Sequence, residues 1–267
     1  MLIDALIGGI GGAVSRTAVA PIELYRIQRQ NYFVPNSTLK DVYNKEGIRY
    51  FWKGNGTNCV RVFPQLAINY AVFRKSKTMN KTIFENKNMV NFVSGCMAGC
   101  ASMLITYPLE TTRTYLSLQT NKNKFTGIAD ALKKIPLSQL YQGSKMSLFG
   151  FGSFSGIQYS SYYYINSLIK DTIFDSKLVG GGLAGLFSIS ITYPTDLIRR
   201  RLQLQGFDAS VPKYNGILDA IGKIYKYEGM KGFYRGLGAT YIKTGPAVAI
   251  QFWTIEKLNC YLKNEDI

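Results

Sequence analysis

The sequence predicts an all-α membrane protein in which six tilted helices form three pseudo-threefold repeats, each with one further short amphipathic helix. Three observations lead to this prediction: a Pro-acid-basic motif at near-constant spacing, a glycine pair ahead of each motif, and six segments long enough to cross a bilayer. We expect a single domain over residues 1–267, with repeats at about 1–86, 87–172 and 173–267.

The recurring motif combines a proline with an acidic and a basic residue on one stretch of helix. Its copies read Pro21-Ile22-Glu23-Leu24-Tyr25-Arg26, Pro108-Leu109-Glu110-Thr111-Thr112-Arg113 and Pro194-Thr195-Asp196-Leu197-Ile198-Arg199. Proline removes a backbone donor and kinks a helix, whereas an acid and a base three residues apart share one face. Because lipid exposure of these charges would be costly, we expect them to face a neighbouring helix or a water-filled interior.

Two glycines precede each motif proline, at nine and thirteen residues upstream. Small residues at this spacing let helices pack closely within a membrane. Their repetition extends the common register over a whole helix in every repeat. The pairs are Gly8/Gly12, Gly95/Gly99 and Gly181/Gly185.

The six predicted spans are separated by short amphipathic stretches that are typical of interfacial helices. Mean hydropathy is only −0.02, which is low for a bundle buried in lipid. We therefore expect one face of the helices to line water, as the polar series Arg61, Gln65 and Asn69 indicates. The spans are 3–30, 57–79, 89–119, 143–169, 177–204 and 238–262, and the amphipathic stretches are 39–45, 128–134 and 217–227.

The formal charge of +16 indicates an anionic partner, which could be nucleic acid, a membrane surface or a small substrate. The chain has no histidine, and its four cysteines, expected to be reduced, form no CxxC pair, so we expect no metal site. Walker, GxSxG and dinucleotide-binding motifs are also absent. The sequence therefore predicts a protein that is not an enzyme and needs no cofactor.

Three basic residues fall in the middle of predicted spans: Arg16, Arg61 and Lys243. No acidic residue occupies a comparable position, so we expect three cations without counter-charges, an arrangement that favours binding of an anion. Arginine suits phosphate because its fork can contact two oxygens at once. The alternative for any one of them is local pairing or snorkelling. Together they predict a polyanionic substrate.

Further signatures follow the first and third motifs: Glu46-Gly47 with Trp52-Lys53-Gly54, and Glu228-Gly229 with Tyr234-Arg235-Gly236. The second repeat keeps only Tyr141-Gln142-Gly143. With these residues the chain resembles the mitochondrial carrier family over its full length. The resemblance implies a monomeric multi-pass protein of the mitochondrial inner membrane, with amphipathic helices on the matrix side and alternating access. It also implies cardiolipin as a bound lipid near Gly54 and Gly236.

The resemblance further implies a matrix gate of ion pairs between the three motifs. A glutamine brace beneath one pair is also expected, at Gln28. The implied pairs are Glu23 with Arg113, Glu110 with Arg199, and Asp196 with Arg26.

The corresponding cytosolic gate is eroded in this sequence. Of its expected charges, only Lys77 and Glu256 could still form an ion pair. We therefore expect the state that is closed on the cytosolic side to be less stable than in a typical carrier. The sequence does not predict that inward and outward transport are strictly coupled.

The segments around the mid-span cations resemble the nucleotide and coenzyme A branch of the family. Gly150 and Phe151 stand where nucleotide carriers have an apolar slot for a base, and Tyr159 could stack on it, although such tyrosines are more often interface anchors. The substrate site implied by this resemblance and by the polar stripe comprises Arg16, Arg61, Gln65, Asn69, Gly150, Phe151, Tyr159 and Lys243.

The function that these features favour is exchange of phosphorylated nucleotides, ATP- or ADP-like or other ribo- or deoxyribonucleotides. A carrier of coenzyme A or another nucleotide derivative is the nearest alternative. A basic nucleic-acid-binding helical protein is a remote one, because its cations should gather on an exposed face with aromatic platforms. We therefore expect a small anionic substrate and membrane lipid as partners, and no nucleic acid.

Overall fold

The computed structural model describes residues 2–31, 43–44, 47–80, 82–83, 85–119, 125–169, 177–205 and 211–263, in which all regular structure is helical. A 3-10 turn lies at Ile48–Trp52. The α-helices are α1 (Leu2–Ala18), α2 (Ala20–Gln30), α3 (Asn55–Asn80), α4 (Lys87–Leu118), α5 (Ile128–Lys134), α6 (Leu137–Leu140), α7 (Ser144–Ile169), α8 (Lys177–Leu204), α9 (Ile217–Gly232) and α10 (Leu237–Lys263).

The long helices agree with the predicted spans to within a few residues. The first span corresponds to α1 and α2 together, and the others to α3, α4, α7, α8 and α10. Two amphipathic stretches form α5 and the first part of α9, while the stretch 39–45 lies largely outside the described residues. By length and composition, one described helix, Met89–Leu118, is apolar enough to cross a membrane, with a mean hydropathy of 1.5.

The long helices pack in a closed ring. Each helix that ends a repeat lies along the helix that begins the next: α3 along α4, α7 along α8, and α10 along α1 and α2. The two long helices of one repeat also touch, as α1 does with α3 and α4 with α7. The three motifs are thereby brought to the same end of the ring.

The first long helix is interrupted at Val19, two residues before Pro21, which lacks the N–H that would bond the carbonyl of Thr17. Helical bonds continue on either side, from Val19 N–H to Ser15 O at 3.1 Å and from Glu23 N–H to Val19 O at 3.0 Å. The carbonyl of Thr17 accepts the indole N–H of Trp52 at 2.9 Å instead. Trp52, from the closing signature of the first repeat, therefore satisfies the acceptor that the proline leaves unpaired.

We expect Trp52→Phe to lower the free energy of unfolding by about 1–2 kcal/mol, because it leaves the Thr17 carbonyl without its donor. Thermal unfolding of the purified protein in detergent measures the effect. The matched control is Trp253→Phe, since Trp253 is 61% exposed. Equal melting temperatures for the two variants would contradict this role of Trp52.

Each repeat's closing glycine has a left-handed backbone and touches the motif of the next repeat. The φ angles are 80°, 80° and 86° at Gly54, Gly143 and Gly236. A Cβ at these positions would lie 3.0, 2.8 and 3.4 Å from a motif arginine's carbonyl oxygen. Glycine is thus required both by the turn and by the close approach. The three carbonyls belong to Arg113, Arg199 and Arg26, in that order.

Helices α5 and α9 begin with the same capping arrangement. Asp130 accepts the N–H of Thr126 at 3.0 Å, and Asp219 accepts the N–H of Asn215 at 2.8 Å. The Thr126 N–H lowers the pKa of Asp130 below its ordinary value. The hydrogen bond from Lys223, followed by that from Asn215, lowers the pKa of Asp219. These carboxylates stabilise the first turn of each helix.

Candidate functional site

The three motifs meet in a ring of ion pairs at one end of the bundle. The carboxylates of Glu23 and Glu110 are only 8% exposed, so their charges depend on neighbouring cations. Every pair joins two different motif-bearing helices, and the ring is therefore closed at this end. The pairs are Arg113 with Glu23 at 3.5 Å, Arg199 with Glu110 at 2.6 Å, and Arg26 with Asp196.

The glutamine that supports this ring is Gln30, not Gln28. Gln30 donates to Asp196 Oδ2 at 3.1 Å and to the hydroxyl of Tyr193 at 3.1 Å. Gln28 Oε1 is buried without a hydrogen-bond partner among the described residues. At 3.6 residues per turn, a residue four positions after Arg26 shares its face, whereas one two positions after it points away.

We expect Gln30→Leu to destabilise the protein by about 1–3 kcal/mol, since it leaves the partly buried carboxylate of Asp196 without one of its donors. Gln28→Leu is the matched control and should cost less, because Gln28 makes no contact with the ring. Melting temperatures of the two variants in detergent check this. A larger loss for Gln28→Leu would restore Gln28 as the brace.

Two of the three mid-span cations are paired, contrary to the expectation that they lack counter-charges. Lys243 Nζ lies 2.9 Å from Glu23 Oε2, and Arg61 Nη1 lies 3.0 Å from Glu110 Oε2. Their long side chains reach the motif carboxylates, although the backbone positions are well separated along the chain. Arg16 differs, because its Nη1 is buried without a hydrogen-bond partner in the part of the chain that the structure describes.

Arg200 is a member of the site that the motif analysis missed. It is 2% exposed, donates to Thr114 Oγ1 at 2.6 Å, and lies 3.9 Å from Glu110 Oε1. The only sequence signal for it is the run of three arginines at 199–201. Glu110 therefore faces three arginines, of which the motif predicted one.

Arg201 faces away from this ring and forms a second buried cluster. Its guanidinium pairs with Glu228, with Nη2 2.8 Å from Oε2, and its Nε donates to the carbonyl of Gln30 at 3.1 Å. Arg235 adds a contact to Glu228 at 3.2 Å. The cluster joins α8 and α9 to α2, which fixes α9 beside the ion-pair ring.

A polar cavity of about 230 Å³ opens above the ring. Seven of its described lining residues are cationic and only two are acidic. The carboxylate of Asp196 pairs with two of these cations, Arg26 and Arg199, so seven cations face three acids in all. The charged lining residues are Arg16, Arg26, Arg61, Arg113, Arg199, Arg200 and Lys243, with Glu23 and Glu110.

An apolar cavity of about 240 Å³ adjoins the polar one, and Arg26 and Arg199 line both. Its walls include Gly150 and Phe151, as the sequence predicts for an apolar slot. A Cβ on Gly150 would lie 2.6 Å from Thr195 Oγ1, so glycine lets α7 approach α8 there. The two cavities together offer a site for a ligand with an anionic part and an apolar part.

Gln65 and Asn69 are not among the described lining residues of these two cavities. Gln65 Oε1 is buried without a hydrogen-bond partner among the described residues, and Asn69 Nδ2 lies 3.5 Å from Ser102 Oγ. The side chain of Tyr159 lies outside the described residues.

The predicted cytosolic pair is not formed in this structure. Glu256 is exposed, and Lys77 Nζ lies 5.7 Å from the centre of the Phe73 ring. Within the described ranges, no ion pair joins Lys77 to Glu256. At the motif end the charges are paired, whereas at the other end Lys77 and Glu256 are separate.

Comparison with known proteins identifies the family. Residues 1–83, 84–173 and 174–266 match the family described as mitochondrial carrier protein. The mitochondrial adenine nucleotide transporter ADNT1 of Arabidopsis thaliana is 32% identical over 93% of this chain and 84% of its own. The mitochondrial carrier protein CoAc2 of Zea mays is 29% identical over 97% and 86%. The mitochondrial adenyl nucleotide antiporter SLC25A24 of Homo sapiens is 30% identical over 95% and 57%. With three copies of the family's repeat and an ion-pair ring built from them, this chain belongs to the mitochondrial carrier family.

Proposed function

We propose that this carrier crosses the mitochondrial inner membrane six times and exchanges phosphorylated nucleotides by alternating access. The spans would be α1 with α2, then α3, α4, α7, α8 and α10. The polar cavity is the observation that carries the proposal, because its charge is the feature that a polyanion requires. Relatives named as an adenine nucleotide transporter and an adenyl nucleotide antiporter support the same substrate class.

The charge balance of the polar cavity matches a substrate with several phosphates. Its seven cations face three carboxylates, which leaves four positive charges without a counter-charge among the described residues. A confined excess of this size favours binding of a polyanion and attracts it from a distance. Six of the seven cations are arginines, whose planar forks contact phosphate oxygens in pairs.

The apolar cavity supplies a place for the base. It is reached from the polar cavity past Arg26 and Arg199, and Gly150 in its wall lets α7 approach α8. A nucleotide with its phosphates among the arginines would thus direct its base against α7 and α8.

Substrate phosphates would compete with the gate carboxylates for the same cations. In this structure Lys243 is held by Glu23 and Arg61 by Glu110. An anion that draws these cations toward itself weakens their hold on the acids of the ring. Binding would therefore lower the barrier to opening the matrix gate, while Lys77 and Glu256 would approach at the cytosolic gate.

Cardiolipin would bind in a groove beside the first closing signature. The groove has a volume of about 490 Å³ and includes Lys53, Gly54 and the start of α5 at Gly127 and Ile128. Unpaired N–H groups at a helix start suit a lipid phosphate, and Lys53 adds charge. We expect the carrier to work as a monomer with this lipid bound.

A second candidate is a carrier of coenzyme A or a related nucleotide derivative. The similarity to the Zea mays protein named CoAc2 supports it. The structural observation in its favour is that the apolar cavity ends at Phe151, beyond which a further pocket begins.

Exchange in reconstituted liposomes tests the proposed function. Vesicles loaded with ADP are offered labelled nucleotides, deoxynucleotides, coenzyme A, phosphate and dicarboxylates, with Arg61→Ala as the inactive control. We expect nucleotide uptake that depends on internal ADP. Uptake of dicarboxylates without nucleotides would overturn the substrate class, and release of the chain from membranes by carbonate alone would overturn the membrane assignment.

A further inference from the structure

A pocket of about 390 Å³ lies between α4, α7 and α8, and none of its described lining residues is charged. We call it the neutral pocket. Three rings, those of Phe92, Phe151 and Tyr162, form part of its wall, and the amides of Asn91 and Gln158 lie among them. It therefore differs in character from the polar cavity, where seven cations gather.

The neutral pocket continues the substrate site in the direction away from the ion-pair ring. Phe151 lines both the apolar cavity and the neutral pocket. A Cβ on Gly99 would overlap the Phe151 ring, so the ring is pressed against the backbone of α4. Phe151 is thus a partition between two compartments, and the absence of a side chain on Gly99 provides the space in which its ring lies.

The position of the neutral pocket along α4 sets the length of a ligand that could use it. Cys96 in the pocket precedes Glu110 in the ring by fourteen residues. At 1.5 Å per residue this is roughly 20 Å along the helix. In coenzyme A the amide-containing arm leaves the 5′-diphosphate and not the base, so it would run beside the base through the apolar cavity to reach Phe151. Only a substrate with an extension beyond its nucleotide would reach the neutral pocket while its phosphates remain among the arginines.

The lining chemistry of the pocket fits an uncharged chain that contains amides. Gln158 makes no hydrogen bond within the described part of the chain, so its donor and acceptor are both available. Ser155 Oγ donates to the carbonyl of Phe151 at 2.9 Å and keeps its acceptor lone pairs. Rings and glycines supply apolar surface between these polar groups. A charged group would be disfavoured there because no counter-charge is at hand.

We propose that the neutral pocket is a specificity site for the uncharged, amide-containing arm of a nucleotide derivative whose phosphates occupy the polar cavity. The inference rests on the proposed function, since it assumes that phosphates bind among the arginines. It makes Gln158 the hydrogen-bonding partner of the arm and Phe151 the side chain that the arm must pass. Bare nucleotides and arm-bearing derivatives then share one anion site and differ only in use of this pocket.

Two ligands that share the adenosine 3′-phosphate test the proposal. Coenzyme A carries the arm, and adenosine 3′,5′-bisphosphate lacks it. We expect Gln158→Leu to lower uptake of coenzyme A relative to the bisphosphate about three- to tenfold, the loss of one neutral hydrogen bond. Equal loss for both ligands would place the base in the pocket and overturn the inference, as would no loss of uptake for either ligand. Failure of the wild-type protein to exchange any nucleotide would instead overturn the proposed function.

A matched glycine pair provides a second variant. A Cβ on Gly95 or on Gly8 meets nothing within 4 Å, and both stand thirteen residues before a motif proline. Only Gly95 lines the neutral pocket. Gly95→Val should therefore lower the ratio of coenzyme A to bisphosphate uptake, whereas Gly8→Val should not. Equal ratios for the two variants would contradict the proposal.

Cys96 offers a direct reporter of occupancy, because it lines the neutral pocket. In a variant whose other cysteines are replaced by serine, maleimide labelling of Cys96 should slow when the S-methyl thioether of coenzyme A is added. The bisphosphate at saturating concentration should leave the labelling rate unchanged. Protection by both ligands, or by neither, would count against the arm in the pocket.

Discussion

Replacing Glu110 by glutamine is expected to reduce the stability of the ligand-free carrier by about 3–5 kcal/mol and to abolish nucleotide exchange. Glu110 lies 2.6 Å from Arg199, 3.0 Å from Arg61 and 3.9 Å from Arg200. Its carboxylate is 8% exposed, so the three guanidinium groups have little water to replace it. Removing the acid leaves buried cations facing one another. Thermal unfolding in detergent and liposome exchange measure the two effects.

The control for this prediction is Asp130→Asn. Asp130 forms an ion pair with Lys134 at 3.0 Å on the surface of α5, where Lys134 is 56% exposed. Surface pairs contribute little because water and salt screen them. Because the Asn amide oxygen can still accept the Thr126 N–H, we expect the control to lower the melting temperature far less than Glu110→Gln and to leave exchange intact. If Glu110→Gln unfolded at the same temperature as the wild-type protein, the ring of ion pairs would not be what holds the motif end of the bundle closed.

The sequence was sufficient for the ring because its geometry follows from helix periodicity and repetition. Acid and base three residues apart share a face, and three copies of that face must meet if the repeats form a ring. The same periodicity also locates Gln30, four residues after Arg26, and counting turns would have chosen it over Gln28. The signal was present, but the position assigned from the family pattern lay on the wrong side of the helix.

The contacts of Arg61 and Lys243 could not be read from the sequence. Arg61 reaches Glu110 across 49 residues of chain, and Lys243 reaches Glu23 across 220. A motif gives the face on which a charge lies, but not how far a long side chain extends toward its neighbour. Because no acid occupies a mid-span position, the sequence predicted that the three mid-span cations are unpaired. In the structure the long side chains of Arg61 and Lys243 reach carboxylates of the ion-pair ring.

The neutral pocket could not be predicted from the sequence for a different reason. Two of its lining residues, Gly95 and Gly181, belong to the repeated glycine pairs, but its polar residues, among them Asn91 and Gln158, stand at positions that share no motif. Repetition identifies what the three repeats have in common. Substrate preference depends on where the repeats differ, and those differences become a site only when helix packing places them side by side.

Arg16→Met is expected to weaken substrate binding without lowering the stability of the protein. Arg16 Nη1 is buried and makes no hydrogen bond among the described residues, whereas Arg61 and Lys243 already have carboxylate partners. Removing an uncompensated cation from the ligand-free protein relieves repulsion, so the melting temperature should stay unchanged or rise. The substrate loses a charge-assisted contact of about 1.5–3 kcal/mol, which corresponds to a loss of affinity of about ten- to a hundredfold.

Titration with ADP under thermal unfolding measures both quantities in one experiment. The wild-type protein should gain stability as ADP is added, because a ligand that binds only the folded state shifts the equilibrium toward it. Arg16→Met should need a correspondingly higher ADP concentration for the same gain. Arg61→Met is the contrasting variant, since it also removes a partner of Glu110 and should lower the melting temperature before any ligand is present. A destabilised Arg16→Met protein with normal ADP response would assign Arg16 to the fold and remove it from the substrate site.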